Sequence, residues 1–211
     1  MKKRIVVIGG GGHAKVLVSV LKKLNNFRII GYTDIKDKGE ILGIGYLGDD
    51  SVLSKLAGDF HTSCAALGIG KTEKPDCRNR IVAYLKNLGF HLPPVISPDA
   101  VVNEDVEIGD ATVLFDGVVV NSGSSIGNAV ILNTNSTVEH DCTIGDFTHI
   151  APGATLSGGV KIGGNSFIGA GSTIIHGTTL ANNCIIGAGS VIIRDCKTSG
   201  TYVGNPARKI K

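Results

Sequence analysis

Glu139-His140-Asp141 sets one imidazole between two carboxylates. A carboxylate beside an imidazole fixes its tautomer and raises its basicity, which suits a general base that takes a proton from a nucleophile. A second run with chemical potential is Gly9-Gly10-Gly11-Gly12-His13. Bare glycines ahead of a helix let a phosphate approach backbone N–H groups. The five cysteines show no Cys-x-x-Cys spacing, so neither a zinc nor a redox site is indicated. Cys142, Cys184 and Cys196 fall at one periodic place and read as packing residues.

The element that must position His140 is legible from its period. Every sixth residue from Ile96 to Ile192 is aliphatic, through Val102, Ile108, Leu114, Val120, Ile126, Leu132, Val138, Ile144, Ile150 and onward. A helix repeats every 3.6 residues and a flat strand every 2, so neither explains a strict six. A parallel β-helix of hexapeptides does, with three hexads per triangular coil. Four residues after each anchor the side chain is usually small, as a narrow prism requires. Three residues after it stands Gly, Asn or Asp, as at Gly117, Asn135, Asp141 and Gly153, the types that turn a corner at positive φ. His140 takes the outward third place of its hexad, away from the core, so it is not filler. Asp141 holds the corner place, and that alone is a second reason for an Asp there.

The first ninety residues follow another pattern. Arg4–Ile8 reads as a buried parallel strand. A helix follows from about Ala14 to Leu24, with Val16, Leu17, Val20, Leu21 and Leu24 on one face. A second strand covers Phe27–Thr33 and ends at Asp34. Gly9, Gly11 and Ala14 give G-x-G-x-x-A, with an acid about 25 residues on, the βαβ fingerprint of dinucleotide binding. Only about 90 residues precede the hexads, roughly half a full dinucleotide fold, so a nucleoside diphosphate suits the domain better than NAD. A Gly-rich stretch to Gly48, a helix from about Ser51, a strand at Cys64–Ile69 and a helix from about Asp76 to Leu88 follow. Pro93-Pro94 is the linker. The domains expected are an α/β Rossmann-like unit at 1–94, a β-helix at 95–197 and a tail at 198–211.

Composition narrows the partners. The chain has 211 residues, a net charge of +3, no Trp and 5% aromatic residues. Its basic residues are scattered, which argues against nucleic acid. No run of 18 apolar residues exists, so no membrane span is expected. Lys2-Lys3-Arg4 and the short apolar run after it are broken too early for a signal peptide, which points to a cytoplasmic protein.

A glycine-loop domain followed directly by unbroken hexads resembles the sugar O-acyltransferase, sialic acid O-acetyltransferase family. The bacterial UDP-4-amino-sugar N-acetyltransferases of the di-N-acetylbacillosamine type are its nearest branch. The resemblance rests on Gly9-x-Gly11-Gly12-His13-x-Lys15, on Asn133 with Glu139-His140-Asp141, and on Gly204-Asn205-Pro206-Ala207-Arg208. It implies a left-handed β-helix, and a homotrimer with acetyl-CoA in the groove between neighbouring subunits. It implies that His140 is the catalytic base with Asp141 as its acidic partner, shorter than the Glu common there. His149, Gly158, Ala170, Pro206 and Arg208 would meet acetyl-CoA. Gly9, Gly11, Gly12, His13, Asp34 and Asn133 would meet the nucleotide sugar, and no metal takes part.

The reading is an acetyl-CoA-dependent N-acetyltransferase. Its acceptor would be the 4-amino group of a UDP-linked 4-amino-4,6-dideoxy sugar, with direct transfer in a ternary complex. O-acetylation of sialic acid or another sugar hydroxyl is the alternative. A non-catalytic β-helix scaffold is the distant one.

Overall fold

The computed structural model describes residues 2–58, 62–70 and 77–211. It divides into two compact units, Met1–Pro98 and Asp99–Lys211.

In the first unit, β1 (Lys3–Ile8) carries the four apolar residues Ile5, Val6, Val7 and Ile8, each at most 1% exposed. Such a run suits a strand covered on both faces. It lies at the centre of a parallel sheet with β2 (Phe27–Thr33), β3 (Tyr46–Gly48) and β4 (Thr62–Leu67), in the order β3-β2-β1-β4. The short β3 was not expected from the Gly-rich stretch; it pairs through Tyr32↔Tyr46. Helix α1 spans Gly12–Lys23 and starts two residues before its expected point. It buries Ala14, Leu17, Val18, Val20 and Leu21, whereas Val16 is exposed and Leu24 is its C-cap. The stripe is centred on Leu17 and Leu21, about 100° from Val16, so Val18 takes the inward place. A 3-10 turn at Asp50–Val52 leads into α2 (Leu53–Gly58), and α3 spans Cys77–Asn87. Asp76, the expected start of that last helix, lies outside the described residues.

The second unit is the β-helix. Two-residue strands pair in parallel at a spacing of eighteen, as in Thr137↔Thr155 and Val138↔Leu156. From Leu114 to Ile192 every sixth-place aliphatic is at most 3% exposed. Burying each such side chain contributes ~1.5–3 kcal/mol. Val102 and Ile108 are half-buried, since the terminal coil has a neighbouring coil on one side only. Asn135, Asp141, Asn165 and Asn183 turn corners at positive φ, and so do Ala129 and Phe147, which the residue-type rule does not anticipate. The small inward slots tie coil to coil. The Ser124 hydroxyl donates to the Glu139 carbonyl at 2.9 Å and accepts from the Cys142 N–H at 3.1 Å. Thr112, Thr148 and Ser166 repeat this arrangement.

The chain beyond Thr198 keeps to the sheet. Strand Gly200–Gly204 pairs in parallel with Cys184–Ile186, and Ala207–Lys209 returns antiparallel on it. The bond Asn205–Pro206 between them is cis.

Candidate active site

The corner at Asp141 builds the first part of the site. Its φ of +59° turns the chain, and its carboxylate lies 2.8 Å from His140 Nδ1. Corner residue and histidine partner are therefore the same residue. A carboxylate only accepts, so Nδ1 carries the proton and Nε2 presents its lone pair. The two side chains are 66% and 72% exposed, so the contact orients the ring more than it stabilises the fold. One coil on stands Gly158, where an added Cβ would lie 2.5 Å from His140 Nε2. The basic nitrogen thus sits over bare backbone. Among the described residues the N–H groups of Gly158 and Ala170 donate to no other group, whereas Gly164 at the same hexad place donates to Asn182. Cys142 is buried and burial pushes its thiol up, so it is no nucleophile.

Asn133 and His149 form a second cluster. Asn133 Oδ1 accepts the Thr134 N–H at 2.8 Å, which turns Nδ2 toward His149 Nε2 at 3.1 Å. An amide NH2 only donates, so His149 Nε2 is bare and the proton is on Nδ1. Protonating Nε2 would set donor against donor. Phe167, paired with His149 across the coils, meets its ring edge-on at 5.2 Å.

The first unit gathers Gly9, Gly11, Gly12, His13 and Asp34 at the carboxyl ends of β1 and β2, where open α/β sheets bind ligands. The N-cap of α1, Gly11, offers no side-chain cap, and the first turn holds no acid. That end of the helix attracts anions. Asp34 Oδ2 accepts the Gly10 N–H at 2.7 Å, so this acid holds the loop itself. His13 is lowered to about 4, by burial and then by the Arg78 charge, and is neutral near pH 7. Fixed positive charge near the loop comes from Arg78, 5% exposed, which bonds the Ile69 carbonyl. Spacing gave no sign of Arg78.

At the tail, Arg208 and Lys209 border a cavity of about 180 Å³ with Arg194, Asp195 and Tyr202. Pro206 and Arg208 are exposed, and Lys209 Nζ donates to Thr198 Oγ1 at 3.1 Å. Among the described residues no group of three His, Cys, Asp or Glu side chains could hold a metal ion. No described helix is long and apolar enough to cross a membrane. Sequence reading also passed over Asn121 and Asn103, which stand eighteen and thirty-six residues before Glu139; Asn121 bonds Glu139 and Asn103 bonds Asn121.

Residues 4–85 match the PglD N-terminal domain family, and residues 123–158 and 159–194 match the bacterial transferase hexapeptide family. Comparison with curated proteins returns no match. A His-to-Asn variant of perosamine N-acetyltransferase from Caulobacter crescentus, in complex with CoA and GDP-perosamine, is 34% identical. It covers 98% of this chain and 96% of its own, with a TM-score of 0.93. The acetyltransferase domain of PglB from Neisseria gonorrhoeae, in complex with acetyl coenzyme A, is 35% identical over 100% of both chains, with a TM-score of 0.92. WeeI from Acinetobacter baumannii is 26% identical over 98% and 99%, with a TM-score of 0.85. The coils are thus the left-handed β-helix of hexapeptide transferases.

Proposed function

Because the chain belongs to the hexapeptide-repeat sugar acetyltransferases with a PglD N-terminal domain, we propose that it acetylates the 4-amino group of a UDP-linked 4-amino-4,6-dideoxy sugar. Acetyl-CoA is the donor. The observation that carries this reading is the His140–Asp141 contact at 2.8 Å, with Nε2 turned to bare backbone at Gly158.

In the proposed reaction His140 Nε2 takes a proton from the acceptor nitrogen as that nitrogen attacks the thioester carbon. The N–C bond forms, the C–S bond breaks, and the proton passes to the CoA thiolate. The free N–H of Gly158 is placed to stabilise the oxyanion. Transfer is direct, since Cys142 is buried and protonated. Asn133 and His149 meet the reacting ends of sugar and thioester as one hydrogen-bonded unit. Ala170 N–H, Pro206 and Arg208 border the CoA chain, with Arg208 on phosphate. Gly9, Gly11, Gly12 and His13 surround the sugar diphosphate, and Asp34 keeps a lone pair for the ribose or uracil. The domains act as nucleotide-sugar-binding (1–94), acetyltransferase (95–197) and CoA-bordering (198–211) parts.

The active unit is a homotrimer with sites between subunits. A base as exposed as His140 needs a second surface to exclude water. The protein works in the cytoplasm, consistent with five free cysteines. The test is thiol release from acetyl-CoA against UDP-, dTDP- and GDP-4-amino sugars and sialic acid, with His140→Ala as control. Turnover of one nucleotide amino sugar, lost in the variant, is expected. Turnover of sialic acid alone would replace N- with O-acetylation.

A further inference from the structure

One corner column of the β-helix holds Asn103, Asn121 and Glu139, one coil apart. In a neighbouring column the same hexad place is Gly at 109, 127, 145 and 163. There a Cβ would strike the next coil, for Gly109 at 2.6 Å from the Gly127 carbonyl carbon. The first column has room for side chains, and they are joined. Asn103 Nδ2 donates to Asn121 Oδ1 at 2.6 Å, and Asn121 Nδ2 donates to Glu139 Oε2 at 2.7 Å.

A carboxylate only accepts, so Asn121 must turn its NH2 to Glu139 and its oxygen to Asn103. The ladder therefore has one direction and ends on a negative charge. The Glu139 backbone is held as well: its carbonyl accepts from Ser124 at 2.9 Å and its N–H donates to Leu156 at 3.0 Å. Oε1 accepts from no donor among the described residues. Asn121 and Ser157, at the same place one coil to either side, carry no charge. The titratable groups beside Glu139 are His140, Asp141 and the buried Cys142 thiol.

We propose that Glu139 binds the acceptor amine as its ammonium ion through Oε1, and so selects an amine over a hydroxyl. This rests on the acetyl-transfer reading above. Amines flanked by electron-withdrawing groups, such as α-amino groups, titrate near about 8, so at neutral pH such an acceptor arrives mostly protonated. A hydroxyl is neutral and gains little from a fixed carboxylate. The bound –NH3+ gives one proton to His140 Nε2, which releases it to solvent. The freed amine attacks the acyl carbon, the N–C bond forms and the C–S bond breaks. The second proton leaves nitrogen by way of His140 for the thiolate, giving an amide, CoA–SH and one proton per turnover.

The test is steady-state kinetics of the full-length protein between pH 6 and 9.5, for wild type, Glu139→Gln and Asn121→Leu. The acceptors are the turned-over nucleotide amino sugar and its 4-hydroxy analogue. Gln is isosteric and still accepts from Asn121. At pH 7, Glu139→Gln is expected to raise KM for the amino sugar about 10- to 100-fold, the loss of one charge-assisted hydrogen bond. KM for acetyl-CoA stays within about twofold, and the difference from wild type closes above the amine pKa. Asn121→Leu, which frees the carboxylate to swing, gives a smaller rise in the same constant. A merely structural Glu139 would move neither the KM split nor the pH profile. Amino-sugar turnover by wild type with KM unmoved in Glu139→Gln overturns this role alone. Turnover of hydroxyl acceptors only, or of none, overturns both this role and the reading beneath it.

Discussion

The glycine loop and the corner at His140 both depend on missing side chains, but for different reasons. Gly9 has a φ of +99°, and a Cβ on it would lie 2.9 Å from Ile69. A Cβ on Gly10 would lie 2.6 Å from the Tyr32 ring. The protein's own packing requires both. A Cβ on Gly11 or Gly12 would meet nothing within 4 Å. Their bareness serves nothing inside the fold, which is what a close approach by phosphate asks for. Gly158 is a third case: the side chain it makes way for is His140. A glycine speaks for function only where its neighbour is a ligand or a reactive group.

Substitutions can break that distinction. The largest effect is expected from His140→Ala, a loss of at least about 100-fold in kcat with the melting temperature unmoved. Retention of more than about a tenth of wild-type kcat would overturn the proposed role as base. Gly158→Ala comes next. The methyl must push the imidazole aside, and a displacement near 1 Å costs up to about 100-fold in kcat, again without loss of stability. Full activity in that variant would show that the ring has room to spare.

The loop offers a paired comparison. Gly9→Ala is expected to destabilise the chain by about 1–3 kcal/mol, through its backbone conformation. Gly11→Ala should leave the melting temperature alone and raise KM for the nucleotide sugar about tenfold. Melting curves beside acceptor kinetics would expose the reverse order. The smallest effect concerns pH. His13 is neutral when folded, lowered to about 4 from an ordinary 6.5. Between those values the unfolded chain binds the extra proton, so stability falls as pH drops through the window. The loss is about 1 kcal/mol by pH 5.5. Denaturant titrations of His13→Gln should lack this slope.

The hexads were legible because coil stacking forces one period on anchors, small slots and corners alike. Asp141 was legible twice over, as a corner type and as a neighbour of His140. The Asn103–Asn121–Glu139 ladder was written at a spacing of eighteen, yet side chains three hexads apart become neighbours only once the coil closes. The tautomer of His149 depends on which way the Asn133 amide points, and that is set by the Thr134 N–H. Arg78 reaches the loop region from α3 by tertiary packing alone. Strand β3 has three residues and takes its identity from pairing with β2, not from its own pattern.

The β-helix is a stack in which each coil bonds only to the coils before and after it. Such arrays open from their ends. Thr137–Val138, leading into His140, is clamped from both sides by Val119–Val120 and Thr155–Leu156. The hairpin that carries Pro206 and Arg208 is held by the sheet along one edge, at Cys184–Ile186. His140 thus sits among the last residues to open and the tail among the first, a gradient that amide exchange followed along the sequence would display.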